Sequence, residues 1–464
     1  MATQEFEFNK VEISADRDFN PGPLRGSKPL DVRKITGEVS IFEDINKGYL
    51  TAKIVVTDDA AIVSEIVEMQ GTETLVIEIE GAEENKGQKY KLNMKIVSII
   101  TQSKINDKAS VFVINAMSDH GYRNSLSKLS KSYTGQLEDT AEEILKSHLE
   151  VKVKRDSKYF DNGEKSVQGD VKVLIPYISP LESTQWLLER ATGKEGGPFF
   201  AWASMWDQED VEGEIRFGMF KTMIREGIKE AAGNKDRQFK YSTGTTVGNP
   251  TAKDNRFSIV SFSQNNRENT LNMVNSGTVG SRITNYDTYT TQDMDKHFDL
   301  GEYIEKLTSA VGNAPTLLRT AYDDKHKVRV EGENKLASKH DARHTNMITS
   351  YGTYGWQNSY HDVFDPSLLM NKFRKSATLS MLGKNILDVT VPGFNILKER
   401  ISVGDVLLFA FDSQIVNDVA AEEHTKDLRT SGFYLILSTR HIYTGTTHRV
   451  VLSCAKVADL PAGV

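Results

Sequence analysis

The chain has 464 residues, a net charge of −7 at pH 7, 38% hydrophobic residues and 26% charged residues. This length predicts two to four domains, and the composition is typical of a folded, fairly polar protein. The acidic balance argues against a surface built to bind nucleic acid, which needs clustered Lys and Arg, and the longest apolar runs are too short to span a membrane. The first ten residues lack the layout of a secretory signal, and a single cysteine excludes an internal disulfide.

The first 117 residues predict short β-strands separated by turns. Two segments, 37–45 and 48–59, flank a turn built on Asn46, Lys47 and Gly48, which predicts a hairpin. In the second segment apolar residues occupy every other position, as in a half-buried strand. Such a series of strands is typical of a β-sandwich or a small β-barrel.

Helical patterns follow these strands. Residues 134–149 are amphipathic at helical spacing. Residues 179–193 predict a second helix, with Ser179 as N-cap, Pro180 in the first turn and Glu182 completing a capping box. Aromatic-rich segments behind this helix read as a strand pair. The region is therefore predicted to be an α+β unit.

The last two hundred residues return to a β pattern. Strands are predicted from 256 onward and again over 386–458, where apolar and β-branched residues are frequent. Between them, 299–365 is mixed, with a helix predicted over 301–311, and 365–382 predicts a longer helix opened by Asp365 and Pro366. The chain thus has a β-rich zone at each end, separated by mixed insertions.

The segment 431–457 contains His441, His448 and the only cysteine, Cys454, and so raises the question of a catalytic or metal site. Alternation places Cys454 on the same strand face as Val450 and Leu452. On an apolar face a thiol is normally a small core side chain with a raised pKa, and a structural zinc site needs four ligands. We therefore predict a core role for Cys454, with no metal site and no cofactor.

Other candidate motifs are incomplete. His340 and His344 are four residues apart, but Asp341 stands where a zinc-peptidase helix needs Glu. No phosphate-binding loop or nucleophile elbow is present, and no catalytic carboxylate pair can be singled out. Trp202 and Trp206 are predicted to be core residues first and a partner surface second. The acidic loop 412–431 leaves two interpretations open: a solvated insertion, or a segment that becomes ordered against a neighbouring subunit.

The C-terminal strands resemble the second tube domain of contractile-tail baseplate hub proteins. The resemblance covers about two-thirds of the chain, and the motifs are individually weak but occur in the family's order. The first tube domain of that family is similar to residues 35–59, and its insertion to residues 178–206. The matching positions, which we interpret as a structural signature, are Gly37, Gly48, Pro392, Gly393, Gly404, Asp405, Gly432, Tyr434 and His441.

The resemblance implies a mainly β, α+β fold with two tube-type β-barrel or sandwich domains. It divides the chain into a first tube domain (1–118), an α+β insertion (119–255), a discontinuous second tube domain (256–298 and 383–464), and a mixed insertion with a helix (299–382). Three chains would form a pseudo-sixfold ring. The strand 406–411 is apolar on both faces, so Leu407, Phe409 and Phe411 are predicted to meet a neighbouring subunit.

The implied role is that of a structural hub in the virion tail, assembled in the host cytoplasm, and not that of an enzyme. Its expected partners are two further copies of itself, a central spike protein on a separate chain, the tail tube or tube-initiator protein, and the baseplate wedge and tape-measure proteins. DNA would pass through the ring without specific binding, helped by the acidic charge. The alternatives are a tail-associated cell-wall hydrolase and a host carbohydrate-binding module.

Overall fold

The structure is a computed structural model of the chain. It describes residues 5–14, 29–59, 73–82, 85–106, 109–161, 170–193, 197–208, 213–241, 256–266, 275, 277–278, 280–287, 293–300, 303, 343–349, 366–383, 385–412, 427 and 429–460. Outside these residues lie His340, most of the loop 412–431 and, apart from Tyr303, the predicted helix over 301–311. No helix within the described ranges is both long and apolar enough to cross a membrane.

The described residues of the N-terminal β zone form seven strands, which confirms the β pattern of this region. They are β1 (Phe6–Ser14), β2 (Leu30–Asp31), β3 (Thr36–Asp44), β4 (Thr51–Asp58), β5 (Thr74–Gly81), β6 (Lys89–Asn106) and β7 (Ala109–Ser118). The strands pair antiparallel in the order β3-β4-β7-β6-β5-β1-β2. Side chains alternate between buried and partly exposed along most of them, so one face of the sheet covers an apolar core. The predicted hairpin at Asn46–Gly48 joins β3 to β4.

The described residues of the α+β insertion form four α-helices and six short strands. The helices are α1 (Asp119–Leu126), α2 (Leu137–Ile144, continued by a π-helical turn Leu145–Leu149), α3 (Pro180–Leu188) and α4 (Phe220–Gly233), and the strands are β8 (Ser132–Gly135), β9 (Lys152–Lys154), β10 (Val171–Leu174), β11 (Phe199–Ala203), β12 (Glu214–Met219) and β13 (Gln238–Tyr241). The predicted capping box is present, because Ser179 and Glu182 satisfy each other's backbone N–H groups. The predicted aromatic strand pair is β11 with β12.

The C-terminal β zone is built from β14 (Ser261–Asn266), β18 (Asn385–Pro392), β19 (Val406–Phe411), β20 (Gly432–Thr444) and β21 (Thr447–Asp459). A short helix, α6 (Gly393–Lys398), follows β18. A separate three-stranded sheet, made of β15 (Gly280–Asp287), β16 (Asp293–Asp299) and β17 (Arg343–Thr349), packs against α5 (Pro366–Leu382). The helix predicted over 365–382 is thereby confirmed.

One long strand, β20, joins the two β zones into a continuous sheet. On one edge β20 pairs with β21 along its whole length. On the other edge its first residues pair with β19, and residues Ser438–Thr444 pair with β3 of the N-terminal zone. The two zones therefore share backbone hydrogen bonds and lie side by side. The proposed domain boundaries stay a prediction.

The sheet curls but does not close. The N–H of Glu5, just before β1, donates to the carbonyl of Thr446 in the β20–β21 turn at 3.0 Å. The start of β1 therefore contacts the C-terminal zone. Yet β2 and β14 stand at the two ends of the strand order, and no pairing joins them among the described strands. In place of the expected tube-type barrels, the described residues of the two zones form one open, curved sheet that is antiparallel except for the parallel pair β13–β19.

The three predicted interface residues are buried within the chain. Leu407, Phe409 and Phe411 are at most 2% exposed. β19 lies between β20 and β13, and α4 covers it so closely that a Cβ on Gly227 would come within 2.5 Å of Val406. A strand that is apolar on both faces is here explained by a sheet with α4 on one side and the rest of the core on the other. The surface role predicted for these residues is replaced by a core role.

We predict that Leu407→Asp prevents stable folding of the single chain. The substitution places a charge among apolar groups with no partner, which should cost on the order of 4 kcal/mol or more of unfolding free energy. Leu174→Asp is the matched control, because Leu174 is 51% exposed and should tolerate the charge. Thermal denaturation of dilute protein makes the comparison. A Leu407→Asp chain as stable as the control would contradict the core assignment.

Candidate functional site

The Gly404–Asp405 turn lies where the C-terminal zone meets the insertion. Gly404 adopts φ +88°, and a Cβ at this position would come within 2.7 Å of the Trp202 ring on β11. Both the left-handed backbone and the close ring therefore require glycine. Trp202 is fully buried, which confirms that it is a core residue. The turn delivers the next residue, Asp405, into the interior.

Asp405 is a buried carboxylate held by three side chains. The Lys158 ammonium is 2.6 Å from Oδ1, the Tyr159 hydroxyl donates to Oδ1 at 2.8 Å, and the Arg237 guanidinium is 3.6 Å from Oδ2. The backbone N–H of Ser402 also donates to Oδ2, at 3.0 Å. Burial alone raises the pKa of Asp405, but the positive charges and hydrogen bonds outweigh it and lower the pKa to about 2. Asp405 is therefore ionised in the folded protein.

The partners of Asp405 are themselves paired. Glu230 on α4 accepts from Lys158 at 2.8 Å and from Arg237 at 2.9 Å. Arg216 donates to the Tyr159 hydroxyl at 3.1 Å and forms an ion pair with Asp207. Buried charges are tolerated only when such partners surround them. The network therefore ties several segments of the insertion to the turn that precedes the strand beginning at Val406.

Glu43 forms a second buried centre beside the first. It lies on β3 in line with Val39 and Ile41, on the core face. Its carboxylate accepts from the N–H of Met205 at 2.6 Å, the hydroxyl of Ser402 at 3.0 Å and the hydroxyl of Thr439 at 3.2 Å. Burial raises the pKa of Glu43, and the hydrogen bonds oppose that rise.

Ser402 links the two carboxylates. Its hydroxyl donates to Glu43 and its backbone N–H donates to Asp405. Because Glu43 belongs to the N-terminal zone, Met205 to the insertion and Thr439 to β20, the three parts of the chain meet at one point. The Ser402 hydroxyl also lies 2.8 Å from the hydroxyl of Ser204. We call this set the polar junction: Glu43, Lys158, Tyr159, Ser204, Arg216, Glu230, Arg237, Ser402, Asp405 and Thr439.

His441 and His448 lie in an aromatic stack, away from solvent. His441 Nδ1 and His448 Nε2 are 3.2 Å apart, and the His448 ring stacks on Tyr443 with centroids 4.2 Å apart. All three are fully buried. Burial lowers the pKa of His441 to about 3, and burial together with the neighbouring His441 lowers the pKa of His448 well below its ordinary value, so both rings are neutral. The Tyr443 hydroxyl meets that of Tyr90 from β6, which closes the stack against the N-terminal zone.

Gly393 explains how two signature positions depend on each other. A Cβ on Gly393 would come within 1.9 Å of the His448 ring, which itself contacts His441. Glycine after Pro392 therefore leaves the space that the histidine stack occupies. Sequence reasoning noted Gly393 and His441 separately, and the structure brings them together through His448.

The remaining signature residues lie apart from this stack. Gly37 sits at a register shift between β3 and β4, and the carbonyl of Gly48 is 2.9 Å from His120 Nε2 of α1. Gly432 begins β20, and the Tyr434 hydroxyl donates to the carbonyl of Thr430. These positions lie at turns and strand ends. Among the signature residues, Asp405 belongs to the polar junction and Gly404 directly precedes it.

Cys454 is fully buried in the core of the C-terminal zone, as predicted. Burial raises the pKa of its thiol well above the ordinary value, which makes the nucleophilic thiolate scarce. Within the described parts of the chain, no three His, Cys, Asp or Glu side chains lie close enough to hold a metal ion.

Sequence reasoning missed Glu43, Lys158 and Arg237. A signal existed for Glu43, because it occupies a position in β3 where alternation demands an apolar side chain. A charged residue in such a position predicts a buried partner. No comparable pattern marks Lys158 or Arg237, because each lies in a short segment between elements or at their ends.

The chain shares its fold with a bacterial tail protein. The tail protein from Neisseria meningitidis MC58 superposes with a TM-score of 0.51 at 10% sequence identity, covering 97% of each chain. The 43 kDa tail protein of prophage MuSo2 from Shewanella oneidensis gives 0.47 at 12% identity over 98% of this chain and 100% of that one. An E. coli component of the type VI secretion system gives 0.38 at 9% identity over 99% and 79%.

Of these three comparisons, the one with the Neisseria protein reaches a TM-score that supports a fold assignment. It spans the whole chain, and so confirms at the level of the fold the resemblance found in the sequence. No protein-family model and no curated protein matches the sequence.

We predict that Asp405→Asn destabilises the protein by about 3–5 kcal/mol at pH 7, because Arg237 and Lys158 lose their buried counter-charge. The folded pKa of about 2 lies below the ordinary value of 3.8, so the charge stabilises the fold above about pH 4 and this contribution, about 2 kcal/mol, is lost toward pH 2. The difference in unfolding free energy between the parent and Asp405→Asn should therefore become smaller as the pH is lowered.

Urea unfolding at pH 7 and at the lowest pH where both proteins fold measures this difference. Asp139→Asn is the control, because Asp139 pairs with Arg155 and its side chain is 48% exposed. Loss of this pair should lower the unfolding free energy by less than about 1 kcal/mol. If the difference in unfolding free energy is small at pH 7, or is the same at the two pH values, the result would contradict the role of Asp405 in the polar junction.

We also predict that Cys454 reacts with a thiol reagent on the order of a hundredfold more slowly in the folded protein than in denaturant, because access and thiolate formation are both blocked. The matched control is Ser453→Cys in a Cys454→Ala background, since Ser453 is partly exposed on the opposite face of β21. Rapid native labelling of Cys454 would overturn its core assignment.

Proposed function

We propose that the protein is a structural component of a contractile-type tail, at the position of the baseplate hub. The observation that carries this proposal is the fold shared with the Neisseria tail protein over 97% of both chains. The polar junction is consistent with a structural role, because its charged groups are paired internally and fix three parts of the chain in one arrangement.

We further propose that three copies form a ring that joins a sixfold tail tube to a threefold spike. Each copy contributes two β zones, so three copies present six related segments to the tube. The spike protein and the tube or tube-initiator protein are its partners, with wedge and tape-measure proteins beyond them, and the virion tail is its location. The net charge of −7 suits a channel through which DNA passes without binding.

The two ends of the open sheet suggest where copies meet. β14 pairs with β18 on one edge, and residues Ser261–Asn265 are exposed. β14 contains no Lys, no Pro and no register shift, the usual devices that protect an edge from pairing. β1, at the other end, has a register shift and charged side chains, and β2 covers part of it. We propose that β14 of one copy contacts a neighbouring copy.

A head-to-tail contact between unlike surfaces generates a ring when its rotation closes, and an open filament when it does not. Contacts in stable rings bury more than about 2,000 Å². The β14 edge replaces the segment 406–411 as the candidate interface, because the side chains of that segment are already used in the core of the chain.

We predict that light scattering on the protein alone gives three times the 51.9 kDa mass of one chain, or that the complex with its spike and tube proteins contains three copies of this chain. Ser263→Lys with Asn265→Lys should reduce the assembly to monomers at unchanged melting temperature. The two added positive charges lie on β14, and the proposed contact would remove them from water. Ser132→Lys with Thr134→Lys is the control, with the same added charge on the exposed positions of β8. A chain that remains monomeric with both partners present refutes the ring, and assembly of the β14 variant refutes this interface.

A further inference from the structure

A pocket of about 440 Å³ lies between helix α5 and the end of helix α3. It is lined by Glu189 just after α3 and, from α5, by Lys372, Lys375, Ser376, Leu379 and Ser380. It is separate from the polar junction, with which it shares no residue.

Lys375 is the unusual member of this pocket. It is only 9% exposed, yet it lines the opening, and its ammonium lies 5.0 Å from the ring centroid of Phe200. Within the described residues it makes no ion pair and no hydrogen bond, so the cation contacts an aromatic face and the pocket. Burial lowers the pKa of Lys375 to about 8, partly offset by the charge of Glu189. A desolvated cation that is not hydrogen-bonded to an anion is a costly arrangement for a protein to keep.

The other groups around Lys375 complete an anion site. Lys372 and Ser376 are four residues apart, and Ser380 is four further on, so their side chains follow one face of α5. Lys372 is paired with Glu189 at 3.7 Å, a long contact that leaves the lysine able to reach a second acceptor. Two hydroxyl groups therefore stand beside two ammonium groups, with Leu379 as an apolar wall.

The charges of the pocket select the kind of anion. Lys372 and Lys375 contribute two positive charges and Glu189 one negative charge, which leaves a net charge of about +1. A carboxylate carries one negative charge and neutralises the pocket. A phosphate monoester carries nearly two, and Glu189 would repel the excess. The methylene groups of an acidic side chain can also contact Leu379.

We propose that this pocket binds one carboxylate of a partner protein, held by Lys375 with help from Lys372 and the two serine hydroxyls. The site would add a charge-assisted anchor at the surface between helices α3 and α5. It does not depend on the proposed tail role, because the isolated chain contains every group that the carboxylate contacts.

The proposal is tested by ¹³C NMR of the protein with its lysines reductively dimethylated, which keeps their charge. The probe is the blocked tripeptide N-acetyl-Gly-Glu-Gly-amide, compared with its Gln analogue and with inorganic phosphate. We predict that the methyl signals of Lys375 and Lys372 move saturably with the Glu peptide, and at least tenfold more weakly with the Gln peptide. Phosphate should bind more weakly than the Glu peptide.

Variants locate the site. Lys375→Met should weaken the response of the Lys372 signal at least tenfold, whereas Lys375→Arg should retain the response and control for folding. Lys229→Met is the matched control, because Lys229 is exposed on α4 and should leave binding unchanged. Equal binding of the Glu and Gln peptides, tighter binding of phosphate, or an unchanged response in Lys375→Met would each overturn the proposal.

Discussion

The fold depends on keeping a carboxylate ionised in the interior. Asp405 has no contact with solvent that could stabilise its charge, so Lys158, Arg237 and Tyr159 must reach it from the insertion. Those side chains come from segments far away in the sequence. The position of the insertion against the C-terminal zone is therefore fixed by electrostatics as well as by the apolar contacts of α4 with β19.

Acid should loosen this arrangement through more than one group. The pKa of Asp405 is lowered to about 2, so its contribution disappears as the pH falls from about 4 toward 2. The pKa values of His441 and His120 are lowered to about 3 and 4, so unfolding takes up protons below about pH 6.5 and stability falls from there. Glu43 acts in the opposite direction, because its raised pKa favours the folded protein at low pH and penalises it as the pH rises. Three of these four groups weaken the fold in acid, so stability should decline below neutrality.

The sequence predicted the elements better than their connections. The capped helix at Pro180, the hairpin at Gly48 and the helix at Pro366 were predicted because local signals set their ends. Helix α4 was not predicted, because it follows β12 without a side-chain cap or a proline to mark its start. The junction of the two β zones through β20 could not be predicted either, since pairing between residues 38–44 and 438–444 leaves no trace in one sequence.

The segment 406–411 shows why a doubly apolar strand is poor evidence for an interface. A strand inside one chain and a strand between two chains both need two apolar faces, and composition cannot tell whether a helix of the same chain or a neighbouring subunit covers the second face. Here Gly227 of α4 settles the matter, because only a residue without a side chain lets the helix reach Val406. The exposed edge of β14 is a better candidate for the opposite reason. Its side chains are mostly polar and would not be predicted to form a core. Among the described strands its outer edge has no partner, and the backbone groups of such an edge gain free energy by pairing with a neighbouring copy.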